Sequence, residues 1–441
     1  MYEPALFADV PPAPLSPAEA RRQDHTRKRR RLIYSQYESD LDALMRRALG
    51  NMRAEAWRPL DLTANPYLAI WSQVAALYAV APLATAQPGA QGLLWAVQAG
   101  GLWPLMQRVQ RDTLAFREML IRVSASPAGE LTYRPVFPDL VEAWSDPSTP
   151  GVPYRVREAV ASPRYGWEIH DLDLSGPSYR VTSREGRDIT EEVLGGSFDG
   201  AAYPYRLADG TPILPYVLYH AAETGCLWDA YTMREVVEGS LMLGVYLTFY
   251  GHILRHASWP QRYVIGASPL GAEIVDGDAG ETGVARREVT ADPAVVIEMM
   301  PDANFSGQPI IGQWTTSADP EAVLRSIAMY ERRVLTLAGV TAPDVTRTDS
   351  DIRSGYSLAV SRESIREAQR AFEPQFRRGD LSTLALSAAL LNRATESSYP
   401  ESPDAYRIAY RGLPRSPQEM AAQLADLTAR QAAGMIGPIS A

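Results

Sequence analysis

The segment Gly239-Ser240-Leu241-Met242-Leu243-Gly244-Val245-Tyr246-Leu247-Thr248-Phe249-Tyr250 constrains this chain more than any other, because wound as a helix it is apolar on every face. A helix apolar all round has to be covered all round. A bilayer would need about 20 such residues, and this run is shorter, so protein must supply the cover. The run sits in a helix of roughly 228–256 that Trp259-Pro260 ends. A second stretch makes a similar demand: from Leu62 to Gln107 there is no charged residue. Pro82, Pro88, Gly89 and Gly92 divide it into two short arms, Gln73, Gln91 and Gln98 dilute them, and alanine fills many apolar positions. The expectation is a helical pair buried against neighbouring subunits, with a membrane-associated hairpin over 66–103 as the alternative.

Charge narrows the chemistry. Forty-three cations face 52 acids, a formal net charge of −9, and Lys28 is the sole lysine, inside Arg27-Lys28-Arg29. A Gly-Lys-Ser/Thr phosphate loop is therefore excluded, and lysine-dependent kinase, Schiff-base or pyridoxal chemistry would have to use a residue buried in a basic run. Cys226 is the only cysteine, which excludes an intrachain disulfide, CxxC redox chemistry and thiolate-rich zinc sites. His252 and His256 stand at i, i+4, the spacing of two metal ligands on one helix face. The residues between them, Ile253, Leu254 and Arg255, lack the glutamate of HExxH, so a metal-dependent hydrolase is a second alternative with no third ligand to name. Asp276–Glu281 misses the spacing of a calcium loop and reads as a solvated turn, and Gly195–Gly200 fits neither GxSxG nor GxGxxG. No catalytic, cofactor-binding or metal residue is nominated, and the residues do not require an enzyme. Met1-Tyr2-Glu3-Pro4 has no basic region leading into an apolar run, so a cytosolic origin is expected.

Periodicity organises the rest. Residues 1–31 read as a flexible arm whose basic run, Arg21 to Arg31, is either a solvated approach to a helix or an anion-seeking element. Tyr34, Tyr37, Leu41, Leu44 and Ala48 trace one helix, and Met106, Val109, Thr113, Phe116, Leu120 and Val123 trace another, with Arg108, Arg111, Glu118 and Arg122 on its opposite face. Over 130–220, Leu131–Tyr133, Tyr154–Arg157, Trp167–His170 and Tyr179–Thr182 alternate at period two, and Asp209-Gly210 marks a hairpin turn. Short strands return over 261–317 at Arg262–Ile265, Ala272–Val275 and Val295–Glu298. Asp319-Pro320-Glu321 opens a helix with Val323, Ile327, Tyr330, Val334 and Leu337 on one stripe, and Gly339 stops it. After a polar loop at 341–353 comes a charged helix that Pro374 should break or kink, then a further helix carrying Leu381, Leu384, Ala388 and Leu391. Ser416-Pro417-Gln418-Glu419 is a capping box opening the last helix.

From residue 215 onward this order resembles the portal proteins of tailed bacteriophages, the ring at the capsid vertex through which DNA enters and leaves. The residues that carry the resemblance are Tyr219-His220-Ala221 before the long helix and Trp259-Pro260 leading into Tyr263-Val264-Ile265-Gly266. Leu337-Ala338-Gly339-Val340, Ser354-Gly355-Tyr356-Ser357-Leu358 and Tyr410-Arg411-Gly412-Leu413-Pro414 before the capping box follow in turn. The resemblance implies an α+β, mainly helical, portal-like ring subunit with an α/β wing, a two-helix stem, a small β-containing clip and a helical crown. It maps 32–225 to the wing, 226–258 and 319–340 to the stem, 259–318 to the clip, 341–353 to the tunnel loop, 354–414 to kinked wing helices and 415–441 to the crown. It further implies a non-enzymatic ring, usually of twelve copies, for packaging and ejecting double-stranded DNA. The implied partners are terminase, the major capsid protein and adaptor or head-completion proteins. The implied location is the virion, with the host cytoplasm during assembly, no membrane and no cofactor. Cations lining a bore would hold DNA by its phosphates. Asp344, Arg347, Asp349, Asp351 and Arg353 instead offer the mixed charge that a passing duplex needs, although an ordinary solvated loop would look the same.

Overall fold

The computed structural model describes residues 17–50, 57–159, 166–172, 176–183, 185–194, 203–229, 231–258, 261–265, 267–269, 299–301, 308, 310–314, 319–339, 363–411 and 417–432. The fold is α+β. In chain order the elements begin α1 (Pro17–Ile33), α2 (Glu38–Leu49), α3 (Pro66–Val74), β1 (Leu83–Ala86), α4 (Gln91–Ala99) and α5 (Leu102–Phe116). Then follow β2 (Glu118–Ala125), β3 (Leu131–Val136), β4 (Val141–Ser145), β5 (Pro153–Ala159), β6 (Trp167–Asp171), β7 (Ser178–Thr182), α6 (Thr190–Leu194) and β8 (Tyr216–His220). The remainder is α7 (Arg234–Ser258), β9 (Gln261–Ile265), β10 (Ala267–Pro269), β11 (Met299–Pro301), β12 (Ile310–Trp314), α8 (Pro320–Leu337), α9 (Glu363–Thr395), β13 (Tyr406–Ala409) and α10 (Pro417–Ala432). The chain forms two compact units, one of Met1–Asp40, Asn65–Leu241 and Glu331–Ala441, the other of Leu41–Ala64 and Met242–Tyr330.

In the first unit the basic run is no flexible arm from Pro17 onward: it is α1, and Arg22, Arg29 and Arg30 of it are buried. Arg22, Thr26, Arg29, Arg30 and Ile33 fall on one helical face and are buried. Arg22 donates to the carbonyls of Pro138 at 3.1 Å and Val141 at 2.7 Å, while its guanidinium lies 4.1 Å from the Trp228 ring centroid. Arg30 pairs with buried Asp139 at 2.8 Å. A planar guanidinium can satisfy several acceptors at once, which an ammonium cannot do in the same geometry. Residues 1–16 of the expected arm lie outside the described residues. The expected helix through Tyr34 and Tyr37 is also divided, since Ser35 takes φ +56° between α1 and α2.

The charge-free stretch is not two arms but α3, β1, α4 and the start of α5. Many of its large side chains are covered by the chain itself: Tyr67, Ile70, Leu77, Leu93 and Val97 are fully buried, while Trp95 is 67% exposed. With nine residues each, α3 and α4 cannot cross a bilayer, and among the described residues no helix is long and apolar enough to do so. That overturns the hairpin over 66–103.

A second revision concerns residues 117–125. The helical stripe read through Leu120 and Val123 stops at Phe116, where Arg117 adopts φ +76° and turns the chain into β2. β2 is the central strand of an antiparallel sheet ordered β3-β2-β8, with Leu120 opposite Val136 and Leu218. Buried on both faces at Met119, Leu120 and Ile121, such a strand reads as a continuous apolar run with no period-two signal. The expected strands of the 130–220 module are present: β4 to β7 form an antiparallel meander, and Ile213 N–H returns to the Tyr205 carbonyl at 3.0 Å across the Asp209-Gly210 turn. Leu120, Val136, Val141, Val156 and Tyr216 make one core cluster of the unit.

Pro374 does not divide the helix that contains it; α9 runs from Glu363 to Thr395 as one element. Proline removes one N–H donor, and the turns from Phe376 to Leu391 are held by burial against β8 and β2. Gly379 shows how close that packing is. A Cβ there would stand 2.5 Å from two ring carbons of Tyr219, and the ring cannot retreat because its hydroxyl bonds to Asp380 and Thr383.

In the second unit, Leu41, Met45, Trp57 and Val245 form the core, with Leu44, Leu49, Leu60, Met242 and Phe249 packed against it. Val245 is 2% exposed. The apolar run of α7 is thus largely covered within the chain, because the α2 stripe from Leu41 folds onto it, and neighbouring copies are not needed for most of that cover. β9 and β12 pair antiparallel, with Ile265 opposite Ile310 and Gln261 opposite Trp314, and β10 pairs with β11. The expected strands at 272–275 and 295–298 lie outside the described residues.

Alanine is the better helix former, yet Gly379→Ala is expected to destabilise the protein by about 1–3 kcal/mol, the usual cost of overpacking a core. Urea unfolding followed by circular dichroism reads this directly; an unchanged or higher midpoint would contradict the packing described.

Candidate functional site

The residues nominated for a DNA-lining loop, Asp344, Arg347, Asp349, Asp351 and Arg353, all lie outside the described residues, as does Ser354–Leu358. The structure therefore brings none of them together. His252 lies on α7 and is half-buried; the His256 side chain is outside the described set. Among the described residues no group of three or more His, Cys, Asp or Glu is placed to hold a metal ion, so the His252/His256 pair gains no third ligand.

What the fold does assemble is a pair of buried polar centres in the first unit. One lies between the β3-β2-β8 sheet and the β4–β7 meander. Arg122 on β2 clamps Glu168 on β6, with Nη2 2.6 Å from Oε1, and lies 3.7 Å from Glu158 on β5. Arg134 on β3 donates twice to Glu158, at 2.5 and 3.0 Å, and the Tyr216 hydroxyl on β8 donates to the same carboxylate at 2.8 Å. Glu168 also accepts from the Tyr179 hydroxyl at 2.8 Å and faces His170 Nε2 at 3.2 Å; the other His170 ring nitrogen lies 3.2 Å from the Tyr203 hydroxyl. Burial alone would raise the Glu168 pKa, but the His170 hydrogen bond and the Arg122 guanidinium hold it well below the carboxylate range. Burial lowers the pKa of His170, which is solvent-inaccessible, and Glu168 only partly offsets this. Alternation at period two placed these residues on strands, and charged residues on inward-facing positions are the signal that identifies the cluster.

The second centre is Asp380 on α9. It accepts three phenols: Tyr78 at 2.8 Å, Tyr410 at 2.6 Å and Tyr219 at 3.0 Å. These come from the segment after α3, from the residue after β13 and from β8, so one carboxylate ties four parts of the chain together. Burial pushes the Asp380 pKa up to about 7, with the three phenolic hydrogen bonds opposing. The sequence carried a sign of it, since Phe376, Asp380 and Leu384 stand four apart, an acid on the apolar stripe of a helix. A third buried acid, Glu118, is raised to about 8 by desolvation although it accepts the Asp229 N–H.

Beside Asp380 a groove of about 410 Å³ runs between β8, the 205–213 hairpin and α9. Leu214, Leu218, Ala385 and Leu386 line it, and Glu223 and Arg378 pair at its edge at 2.8 Å. The arrangement supplies packing and charge pairing, with no nucleophile positioned against a base by any contact described.

No protein-family model matches the chain, and no curated protein matches it. Among solved structures it is similar to a chain of the neck of an empty GTA particle computed with C6 symmetry, at 13% identity and TM-score 0.43, covering 85% of this chain and 88% of that one. A chain of the neck of a native GTA particle computed with C12 symmetry is similar at 16% identity and TM-score 0.39, covering 85% and 88%. A chain of the virion of a native gene transfer agent particle is similar at 14% identity and TM-score 0.39, covering 90% and 96%.

The sign of the Asp380 effect is fixed by its direction. Its folded-state pKa of about 7 lies above the unfolded value of about 3.9, so the folded state holds a proton that the unfolded state has released. The stabilisation is complete below about pH 4 and is lost as pH rises through 7. Between pH 5 and pH 8 the wild type should lose about 2–3 kcal/mol relative to Asp380→Asn. Chemical unfolding of both proteins across that range isolates this carboxylate from Glu118, which both retain; parallel pH profiles would remove the assignment.

Proposed function

We propose that this chain is the subunit of a homo-oligomeric ring at the vertex of a phage-like capsid, a portal through which double-stranded DNA is packaged and ejected. The observation that carries the reading is the pairing of β9 with β12. These strands follow α7 and precede α8, and their antiparallel register pairs the chain leaving one helix with the chain entering the other, as an appendage carried by two helices would require. The helices themselves touch, Tyr246 meeting Tyr330 edge to face at 5.1 Å. That is the stem-and-clip order which the residues from 215 onward resemble.

In this reading α7 and α8 are the stem, the paired strands the clip, the residues around the two buried centres the wing and α10 the start of a crown. The ring is of twelve copies. Closed rings use head-to-tail contacts between two different surfaces of each subunit. Leu324, Met329 and Leu337 on α8 are 45%, 69% and 50% exposed in the single chain, which leaves apolar surface for such contacts. Loop 341–353 is assigned to the bore, where Asp344, Arg347, Asp349, Asp351 and Arg353 present mixed charge to the passing duplex. Terminase, the major capsid protein and adaptor or head-completion proteins are the assigned partners, in the virion and in the host cytoplasm during assembly. No reaction is assigned to the chain; a separate ATPase supplies the work of translocation.

Purified protein should form rings with a duplex-wide bore in negative-stain images viewed down the symmetry axis. A monomer at micromolar concentration across all salt conditions would overturn the reading. Replacing Asp349 and Asp351 together by arginine should leave rings intact and reduce DNA packaging at least several-fold; normal packaging by that variant would remove the loop from the bore.

A further inference from the structure

The β3-β2-β8 sheet ends in an open edge at β8, and the register orients the backbone there. Ala221 N–H donates to the Arg117 carbonyl at 2.8 Å, and Val123 N–H donates to the Pro215 carbonyl at 3.0 Å. Opposed residues of an antiparallel pair alternate between those that exchange hydrogen bonds and those whose N–H and C=O turn outward. With Leu218 opposite Leu120, Val217 and Tyr219 bond to β2, and Tyr216, Leu218 and His220 turn their N–H and C=O away from it. β8 has no strand on that side, and among the described residues none of these outward groups has a hydrogen-bond partner. An unpaired strand edge is a template for another strand.

The groove of about 410 Å³ opens along this edge. Tyr216, Leu218 and His220 stand in its wall with Leu207, Ile213 and Leu386. The charged residues of the wall are already engaged. Glu223 pairs with Arg378 at 2.8 Å, and Glu401 accepts from the Ala208 N–H at 3.0 Å and from Asn392 at 2.9 Å. What the groove offers is a row of backbone donors and acceptors beside apolar side chains, the chemistry that an extended apolar segment completes.

The chain carries such a segment close by. Ala5-Leu6-Phe7-Ala8-Asp9-Val10 lies between Pro4 and Pro11, and proline, having no N–H, bounds a paired run. Six residues suit the five of β8, and in extended form Leu6, Ala8 and Val10 share one face. The segment lies outside the described residues, which begin with α1. That helix starts beside the groove: Arg22 lies 4.1 Å from the Trp228 ring centroid, and Trp228 packs on the same core cluster as Leu214 and Leu218. Residues 11–16 add about 20 Å of reach. We propose that residues 5–10 dock in the groove of their own chain as a strand added to the open edge of β8, pairing with the outward N–H and C=O groups of Tyr216, Leu218 and His220. The docking is independent of ring formation, since a single chain holds both the segment and the edge.

Amide hydrogen exchange of the full chain, read residue by residue, tests this. In the wild type the amides of Tyr216, Leu218 and His220 should exchange slowly, like those of Val217 and Tyr219. Replacing Phe7 and Ala8 together by proline removes a donor from each alternate set of the segment, whichever set faces β8. The three outward amides should then exchange at least about tenfold faster, as loss of their hydrogen bonds implies. Val217 and Tyr219 should keep their rates and so report an intact sheet. Fast exchange of the outward amides in the wild type would overturn the proposal. Equal slow rates in wild type and variant would overturn it too, by giving the edge to another occupant. A second measurement reads which copy supplies the segment. With Cys226→Ser removing the one free thiol, Ala8→Cys and Leu214→Cys in one chain should join through a short bis-maleimide into a product that migrates as a monomer. A covalent dimer would put the segment on a neighbouring copy and overturn the assignment to the same chain.

Discussion

The first unit depends on arginine reaching into places where side chains are otherwise apolar. Arg122 and Arg134 leave the β3-β2-β8 sheet and close on Glu158 and Glu168 of the meander, and Arg22, Arg29 and Arg30 do the same work for α1. Buried ion pairs add little net stability compared with well-packed apolar residues, but removing one partner leaves an uncompensated charge and costs about 3–5 kcal/mol. Their effect is therefore on uniqueness: a sheet that slid by one residue would strand a carboxylate. A chain with Lys28 as its sole lysine commits its cations to the residue whose planar fork can serve two acceptors at once.

Asp380 extends the same logic to the tyrosines. Three phenols converge on a carboxylate with no solvent exposure, and the helix that carries it has given up a side chain at Gly379 so that the Tyr219 ring can lie against its backbone. The result is a set of cross-links that ties β8, α9 and the segments around Tyr78 and Tyr410 to one buried carboxylate. Such cross-linking suits a structural subunit, because symmetric assembly needs each copy to present the same two surfaces. In the second unit the order is different: an apolar helix is covered by the α2 stripe, and paired strands close the insert beyond it.

Much of this was legible in the residues. Period-two alternation located β3, β5, β6 and β7, the Asp209-Gly210 turn lay where expected, and Asp319-Pro320 opened α8 one residue from its observed start. The failures share a cause. The stripe through Leu120 and Val123 imitates the end of a helix because β2, a central strand apolar on both faces, has no period of its own. The basic run suits a solvated approach to a helix or an anion-seeking element equally well, because the acceptors that bury it, the carbonyls of Pro138 and Val141 and the carboxylate of Asp139, lie far away in sequence. Asp380 stands on an apolar stripe, and its neighbours along the chain do not name its partners, which come from three distant segments. The nominated loop at 341–353 falls outside the described residues, and its role rests on the proposal above.

By itself, then, the amino-acid order established the α+β class, the positions of most strands and the absence of Walker chemistry, because these follow from local periodicity and from which residue types are present. Only the tertiary structure decided that charged residues enter the interior in pairs and that most of the apolar helix finds its cover within the chain. It did so because burial and charge pairing are settled between segments far apart in sequence, where a residue's neighbours along the chain say nothing about what will face it.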